Sequence, residues 1–292
     1  MSTRARSWYR ANAFHHRTFP EQRLAACREA TISICLPARD ESRTIGPILE
    51  QLIPLRERGV VDQVVVVDNS SDGTGEIAAR LGAEVHHPAD LMPRFGPVLG
   101  KGDMLWRALA VLRGEIVCFL DADSELFGAH FACGLVGPLL LREDPSFVKA
   151  HYRRPFRVGS TTLPDGGGRV TELTARPLID LFYPDLAGIE QPLAGEVAAR
   201  RELLERLPFT TGYGVDIALL LDAYAAVGLD GLAQVDLDVR QNAHQPLRDL
   251  GPMASAVLGA VAVRLEREGR LRGPITDRQV VRPPHVSLRA AA

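Results

Sequence analysis

Short apolar runs recur along this chain, each followed by a polar turn and then by apolar residues at helical spacing. Residues 31–36 alternate as a strand that ends at Pro37, and Ile45, Ile48, Leu49 and Leu52 then predict a helix. The order repeats: Val64 to Val67 reads as a buried strand, Asp68-Asn69-Ser70-Ser71-Asp72-Gly73 as a turn, and residues 76–81 as a helix stopped by Gly82. A third unit has a strand at 84–86, a loop with Pro88, Pro93, Gly96 and Pro97, and a helix through Leu105, Leu109 and Leu112 closed by Gly114. Residues 115–120 form the next strand. Beyond it the pattern predicts a helix over 130–141, a strand over 147–151 and a helix over 169–182. A helix through Ile217, Leu220, Leu221 and Tyr224, a strand over 232–239 and a helix over 254–265 complete it. Such alternation predicts a doubly wound α/β sheet, whose ligands bind outside the carboxyl ends of the strands. Residues 1–30, with His15, His16 and Pro20 but little periodicity, predict an irregular arm or short helix over the body, and Pro283 and Pro284 mark a loose tail.

Composition narrows the class without fixing it. The 292 residues can bury a full core, and 34 basic against 36 acidic residues leave a formal net charge of -2, so no global field recruits nucleic acid. Cys27, Cys35, Cys118 and Cys133 lack the spacing of a zinc motif or a disulfide framework. No apolar run approaches the roughly 20 residues needed to span a bilayer, and the Arg-rich start lacks a signal-type apolar segment. A soluble cytoplasmic protein with neither nucleic-acid nor membrane partners is expected. No Gly-x-Gly-x-x-Gly follows the first two strands and no Walker A sequence is present, which argues against dinucleotide dehydrogenases and P-loop enzymes.

Candidate chemistry collects at strand ends. Gly114 to Asp123 is an apolar run delivering two carboxylates, Asp121 and Asp123, to one side of an extended chain. Two close anions call for a compensating cation, hydrogen bonds or a shared proton, and hard oxygen ligands suit Mg²⁺ or Mn²⁺; a plain strand-end turn is the other reading. Pro37-Ala38-Arg39-Asp40-Glu41 and Asp68 to Gly73 fall on the same predicted edge. Lys101, between Gly100 and Gly102 at a helix start, either aims a charge there or is merely solvated. Gly166-Gly167-Gly168-Arg169-Val170-Thr171 combines close backbone approach, a helix start, a cation and a hydroxyl, which makes an anion cradle or, failing that, a flexible linker.

The three strand-end clusters together resemble the nucleotide-sugar-binding half of GT-A glycosyltransferases. That resemblance implies a Rossmann-like mixed α/β sheet flanked by helices. Pro37, Ala38 and Glu41 would then meet the base and ribose, Asp68 and Asn69 the base, and Asp121, Ala122 and Asp123 the ribose, diphosphate and metal. More specifically, Gly100-Lys-Gly102, residues 148–155 (Val-Lys-Ala-His-Tyr-Arg-Arg-Pro), residues 166–173, Ala175-Arg-Pro-Leu178, Gln191-Pro-Leu193, Gly195-Glu196 and Gly212-Tyr-Gly-Val-Asp216 resemble the retaining glucosyl-3-phosphoglycerate synthases and their mannosyl relatives. This implies hexose transfer from a nucleoside diphosphate sugar to 3-phosphoglycerate. Gly168, Arg169 and Thr171 would hold the acceptor's phosphate and carboxylate, Lys101 would touch the donor, and Gln191, Leu193, Ala194 and Tyr213 would line the sugar and acceptor pocket.

In the family an Arg-x-His-x-Asn histidine completes the metal site beside the second aspartate. Here the segment reads Arg240-Gln241-Asn242-Ala243-His244, so His244 is expected to join Asp123 on the metal, with Asn242 as the alternative and as an acceptor contact. The catalytic set is then Asp123, Lys101 and Arg169. The resemblance divides the chain into an arm (1–30), a donor half (31–127), an acceptor half (128–250) and a C-terminal helix and tail (251–292), with a homodimer expected. A mannosyl-3-phosphoglycerate synthase, a nucleotidyltransferase and an inactive nucleotide-sugar-binding module are the rival readings.

Overall fold

The computed structural model describes residues 1–158, 161–164, 166–241, 245–271 and 280–289. Helix α1 (Thr3–Asn12), capped by the Ser2 hydroxyl accepting from Ala5 N at 3.1 Å, leads into strand β1 (Ala13–His15) and helix α2 (Glu21–Cys27). The expected units follow: β2 (Ile32–Ala38), α3 (Ile45–Glu57), β3 (Gln63–Asp68), α4 (Thr74–Arg80), β4 (Glu84–His86), α5 (Lys101–Ala108), β5 (Ile116–Phe119), α6 (His130–Leu141) and β6 (Phe147–Arg153). A small hairpin, β7 (Phe156–Val158) and β8 (Thr161–Leu163), precedes a π-helical turn (Thr171–Ala175) that runs into α7 (Arg176–Phe182). The chain closes with β9 (Val197–Arg200), α8 (Arg201–Arg206), β10 (Phe209–Thr210), α9 (Val215–Val227), β11 (Leu232–Val239), α10 (Leu247–Arg267), β12 (Val281–Arg282) and α11 (His285–Arg289).

Eight strands form one sheet in the order β1-β11-β6-β9-β5-β2-β3-β4. Every neighbouring pair is parallel except those of β9, which runs antiparallel to both β5 and β6. The sheet is therefore mixed rather than purely parallel, and the amino end of β9 lies among the carboxyl ends of its neighbours. Successive residues of the central strands enter two different cores. Cys35, Val65, Val117 and Phe119 pack with Leu105, Trp106 and Leu220 on one face, while Ile34, Val64, Ile116 and Cys118 pack with Ile48, Leu52 and Leu135 on the other. Burial on both faces explains why these strands read as continuous apolar runs.

Two expectations are corrected. Part of the arm is an edge strand of the main sheet, anchored by Trp8 Nε1 donating to Leu232 O at 3.0 Å. The tail is not loose over residues 280–289: β12 pairs with β10, and Arg282 Nε donates to Asp103 Oδ1 at 2.6 Å. Asp103 also pairs with Arg107 at 3.1 Å, and Arg107 donates to the carbonyls of Leu91 and Gly96, both at 2.7 Å. A buried charge is tolerated when it is paired and hydrogen-bonded, and this network fixes the proline-rich loop after β4.

Candidate active site

A cavity of about 630 Å³ opens at the carboxyl edge of the sheet. One wall is acidic. Glu41, Asp72, Asp121 and Asp123 line it from the loops after β2, β3 and β5. The first two loops are stitched together: Ser42 N donates to Asp72 Oδ2 at 3.0 Å, and Ser71 N to Asp40 Oδ1 at 3.0 Å, with Asp40 in a left-handed conformation (φ 58°). The Thr44 hydroxyl donates to Ala122 O at 2.7 Å, which ties the first loop to the Asp121-Ala122-Asp123 segment.

Two cations hold these acids. Lys101 Nζ lies 2.7 Å from Asp121 Oδ1 and 3.3 Å from Asp216 Oδ1, and Arg240 Nη2 lies 3.1 Å from Asp121 Oδ2 and also bridges to Asp123. Arg240 is itself fixed from below, with Nε 2.8 Å from Glu196 Oε1 and Nη1 donating to Tyr152 Oη at 3.2 Å. Burial pushes the Asp121 carboxyl up, but Lys101 and Arg240 outweigh it and hold the group down at about 2. For Lys101, burial pulls the ammonium down and the Asp121 and Asp216 carboxylates more than restore it, so its pKa is raised and it stays charged. Gly195, at the entry to β9, makes this packing possible: a Cβ there would sit 2.3 Å from Asp121 Oδ2 and 2.4 Å from Lys101 Nζ.

A second part of the lining is basic and glycine-built. Gly167, Gly168, Arg169 and Thr171 line it together with Arg154. Gly167 N donates to Arg154 O at 2.9 Å, and Gly168 adopts φ 73°, a left-handed backbone that favours glycine. Arg169 stacks over Phe156 at 5.0 Å and donates to Gln245 O at 2.6 Å, while Thr171 is buried in the π-helical turn, a distortion frequent at functional sites. Leu193, Tyr213 and Asp216 close the floor. Lys149, wholly buried, donates to Ala194 O at 2.7 Å and Asp216 O at 3.0 Å, so it joins the loop before β9 to the first turn of α9; desolvation lowers its pKa to about 8.

Of the expected site residues, Glu41, Lys101, Asp121, Asp123, Gly168, Arg169, Thr171, Leu193 and Tyr213 share the cavity. Pro37, Ala38, Asp68, Asn69, Ala122, Gln191 and Ala194 lie outside its lining. Ala38, Ala122 and Ala194 are buried behind it. Asp68 accepts from the Ser70 hydroxyl inside its own turn, and Gln191 Nε2 donates to Tyr152 O at 3.4 Å. Asn242 and His244, the residues expected to complete the metal site, lie outside the described residues. The donor set suits a hard divalent cation. Glu41 is pushed up by burial and by the neighbouring Asp123 and Asp121, a crowding of acids that a bound Mg²⁺ or Mn²⁺ would relieve, and Asp123 is the more exposed aspartate (42% against 19%).

Comparisons with known proteins identify the family. Residues 33–133 match the family model Glycosyl transferase family 2. The glucosyl-3-phosphoglycerate synthase of Petrotoga mobilis is 41% identical over 278 residues, covering 92% of this chain and 86% of that protein. The chain belongs to the glucosyl-3-phosphoglycerate synthase family. Its solved neighbours have the expected GT-A fold. One is the mannosyl-3-phosphoglycerate synthase of Rubrobacter xylanophilus, with 43% identity, TM-score 0.90 and coverage of 97% of this chain and 98% of that one. Another is the glucosyl-3-phosphoglycerate synthase of Mycobacterium tuberculosis, solved with Mn²⁺, UDP-glucose and phosphoglyceric acid, with 39% identity, TM-score 0.84 and coverage of 95% and 99%.

Several polar residues that build the site lie inside the segments that carry the family resemblance. Lys149, Tyr152 and Arg154 sit in the 148–155 run, Glu196 follows Gly195, and Arg240 heads the segment read only for its histidine. Each is polar and tied to an apolar strand, which was the available signal.

Proposed function

We propose that this chain transfers glucose from UDP-glucose to the 2-hydroxyl of 3-phosphoglycerate, with retention at the anomeric carbon, giving glucosyl-3-phosphoglycerate. The observation that carries this reading is that one cavity gathers both sets of residues, Asp121, Asp123 and Lys101 from the strand-end cluster and Gly168, Arg169 and Thr171 from the excursion between β6 and α7. A donor diphosphate with its cation suits the first side, and an acceptor bearing a phosphate and a carboxylate suits the second.

Asp123, with His244, would hold Mg²⁺ or Mn²⁺, which when bound supplies Lewis-acid stabilisation of the departing diphosphate. Lys101 adds a charge whose position is fixed by Asp121 and Asp216. Glu41 stands at the donor end, and Leu193 and Tyr213 face the sugar between the walls. Arg169 grips the acceptor anion, and Thr171 and the backbone at Gly168 complete the grip, which converts binding energy into orientation of the 2-hydroxyl. That oxygen bonds to the anomeric carbon from the face the diphosphate leaves, the carbon–oxygen bond to UDP breaks with its electron pair going to UDP, and the hydroxyl proton passes to the departing phosphate oxygen. Front-face attack is favoured because the carboxylates near the sugar are already engaged. Asp121 is held by Lys101 and Arg240, and Glu196 by Arg240 and Tyr152. Cytoplasmic location belongs to the same reading. So does a homodimer, for which Leu181 on α7 and Leu258 on α10, both exposed, offer apolar surface. No helix among the described residues is long and apolar enough to cross a membrane.

The likeness to a mannosyl enzyme keeps a second reading in play, transfer of mannose from GDP-mannose. Purified protein incubated with 3-phosphoglycerate and UDP-glucose, GDP-glucose or GDP-mannose, with and without Mg²⁺, separates the two by product mass and released nucleotide. Metal-dependent glucosyl-3-phosphoglycerate and UDP are expected. GDP-mannose as the sole productive donor would transfer the assignment to the second reading, and no product from any donor would end both.

A further inference from the structure

His15 and His16, which the sugar-transfer chemistry leaves unused, converge on a single carboxylate. Strand β1 lies beside β11 with His15 opposite Asp236. Two residues on, where the register against β6 shifts, Asp238 takes a left-handed backbone (φ 67°) uncommon for a residue with a Cβ, and its N–H donates to Asp236 Oδ1 at 2.9 Å. The turn aims the Asp238 side chain at the arm. Its Oδ1 lies 3.3 Å from His15 Nε2 and its Oδ2 2.8 Å from His16 Nε2. One ligand atom from each of the three residues lies within 4.8 Å of the other two, and among the described residues no other histidine, cysteine or carboxylate group of three is gathered so closely. His130, from α6, packs its ring 4.4 Å from that of His16 and limits how that imidazole can turn.

We propose that His15, His16 and Asp238 bind a zinc-class divalent cation that clamps the N-terminal arm to β11. Two imidazole nitrogens and one carboxylate oxygen are the donors Zn²⁺ takes, whereas Mg²⁺ prefers oxygen alone. Each imidazole nitrogen already stands 2.8 or 3.3 Å from one oxygen of the Asp238 carboxylate, close to the ligand–ligand spacing of about 3.3 Å that Zn–ligand bonds of roughly 2.0–2.1 Å require, and a small rotation of the carboxylate brings one oxygen to both. The site is partly open, with His15 and Asp238 each 37% exposed, so water can complete the coordination.

Two contacts compete with the ion. Arg17 N donates to His15 Nδ1 at 3.2 Å, a bond that opens when ligation through Nε2 leaves the ring proton on Nδ1. The Arg17 guanidinium, 3.6 Å from Asp238 Oδ2 and largely exposed, has open solvent to swing into when the ion binds. The clamp therefore binds more weakly than a closed four-ligand structural site. Its place in the chain gives it a use. Asp238 is followed after one residue by Arg240, which spans Asp121 and Asp123, so the cation braces the strand that delivers Arg240 to the catalytic cavity.

Chelator-stripped protein, dialysed against Zn²⁺ and analysed for bound metal, tests the site in wild type, His16→Gln, Asp238→Asn and Asp123→Asn. His16→Gln and Asp238→Asn are each expected to bind one equivalent fewer than wild type, while Asp123→Asn keeps that equivalent. Co²⁺ should give visible ligand-field bands in wild type and Asp123→Asn that are lost in His16→Gln, with His15→Gln standing in if that variant does not fold. Equal zinc content in wild type and both arm-site variants would overturn the proposal. So would the loss of all bound zinc in Asp123→Asn, because the only site would then be the catalytic one.

Discussion

The acidic and basic walls of the strand-end cavity are built in different ways. The acidic wall rests on the ends of β2, β3 and β5, where sheet register places Glu41, Asp72, Asp121 and Asp123, and Lys101 and Arg240 already neutralise part of it. The basic wall rests on the excursion between β6 and α7, where glycine conformations and a π-helical turn place Arg169 and Thr171. One side is therefore organised before ligands arrive. Ion pairs fix the acidic wall, the proposed donor side, in advance, whereas the proposed acceptor side presents Arg169 on a loop, held by a ring face and a backbone carbonyl that an anion can displace.

The largest effect is expected on the acidic wall. Asp123→Ala should lower metal-dependent turnover of UDP-glucose with 3-phosphoglycerate by roughly 10²–10³-fold or more, as expected for losing an electrostatic element of the transition state, with the fold retained by circular dichroism. Unchanged turnover would remove Asp123 from the metal site. Next comes Gly195→Ala. Its Cβ would collide with both the Asp121 carboxylate and Lys101 Nζ, so kcat/KM should fall by roughly 10²-fold as the misplaced pair costs orientation. An active Gly195→Ala enzyme would mean the Lys101–Asp121 pair need not be prearranged.

Lys149, beneath the junction of the walls, carries a smaller effect on stability. Its folded pKa of about 8 lies below the ordinary 10.5, so between these values the unfolded chain binds more protons than the folded one. Stability should accordingly rise with pH across that window, by on the order of 1–3 kcal/mol. Urea unfolding at several pH values should show the rise in wild type and a flatter profile in Lys149→Met. Identical profiles would contradict the buried, desolvated ammonium.

The same contrast explains what could be read from sequence. The parallel units were legible because strands buried on both faces are apolar runs, as Val64 to Val67 shows. Strand β9 was not, because Val197-Ala-Ala-Arg200 is short and gives no sign of running antiparallel between β5 and β6. The aspartates and the glycine cradle were legible as residue types at chain punctuation. Arg240 was not, since its partners Asp121 and Asp123 are 119 and 117 residues away and no local pattern couples them. Likewise Arg282 pairs with Asp103 at a separation of 179 residues, so a tail that looked loose is anchored by buried charge. Asp68 shows the converse: its place at a strand end was clear, but local bonding to Ser70 turns the side chain to the turn rather than the cavity.

Calorimetric titration of 3-phosphoglycerate and of UDP with Mn²⁺ into wild type, Arg169→Ala and Asp123→Ala tests the division of the cavity most directly. Arg169→Ala should weaken 3-phosphoglycerate roughly 10- to 100-fold, the range for losing a charge-assisted pair, and leave UDP with Mn²⁺ within a few-fold of wild type. Asp123→Ala should do the reverse. Equal weakening of both ligands in either variant, or undiminished 3-phosphoglycerate binding in Arg169→Ala, would contradict the two-wall account.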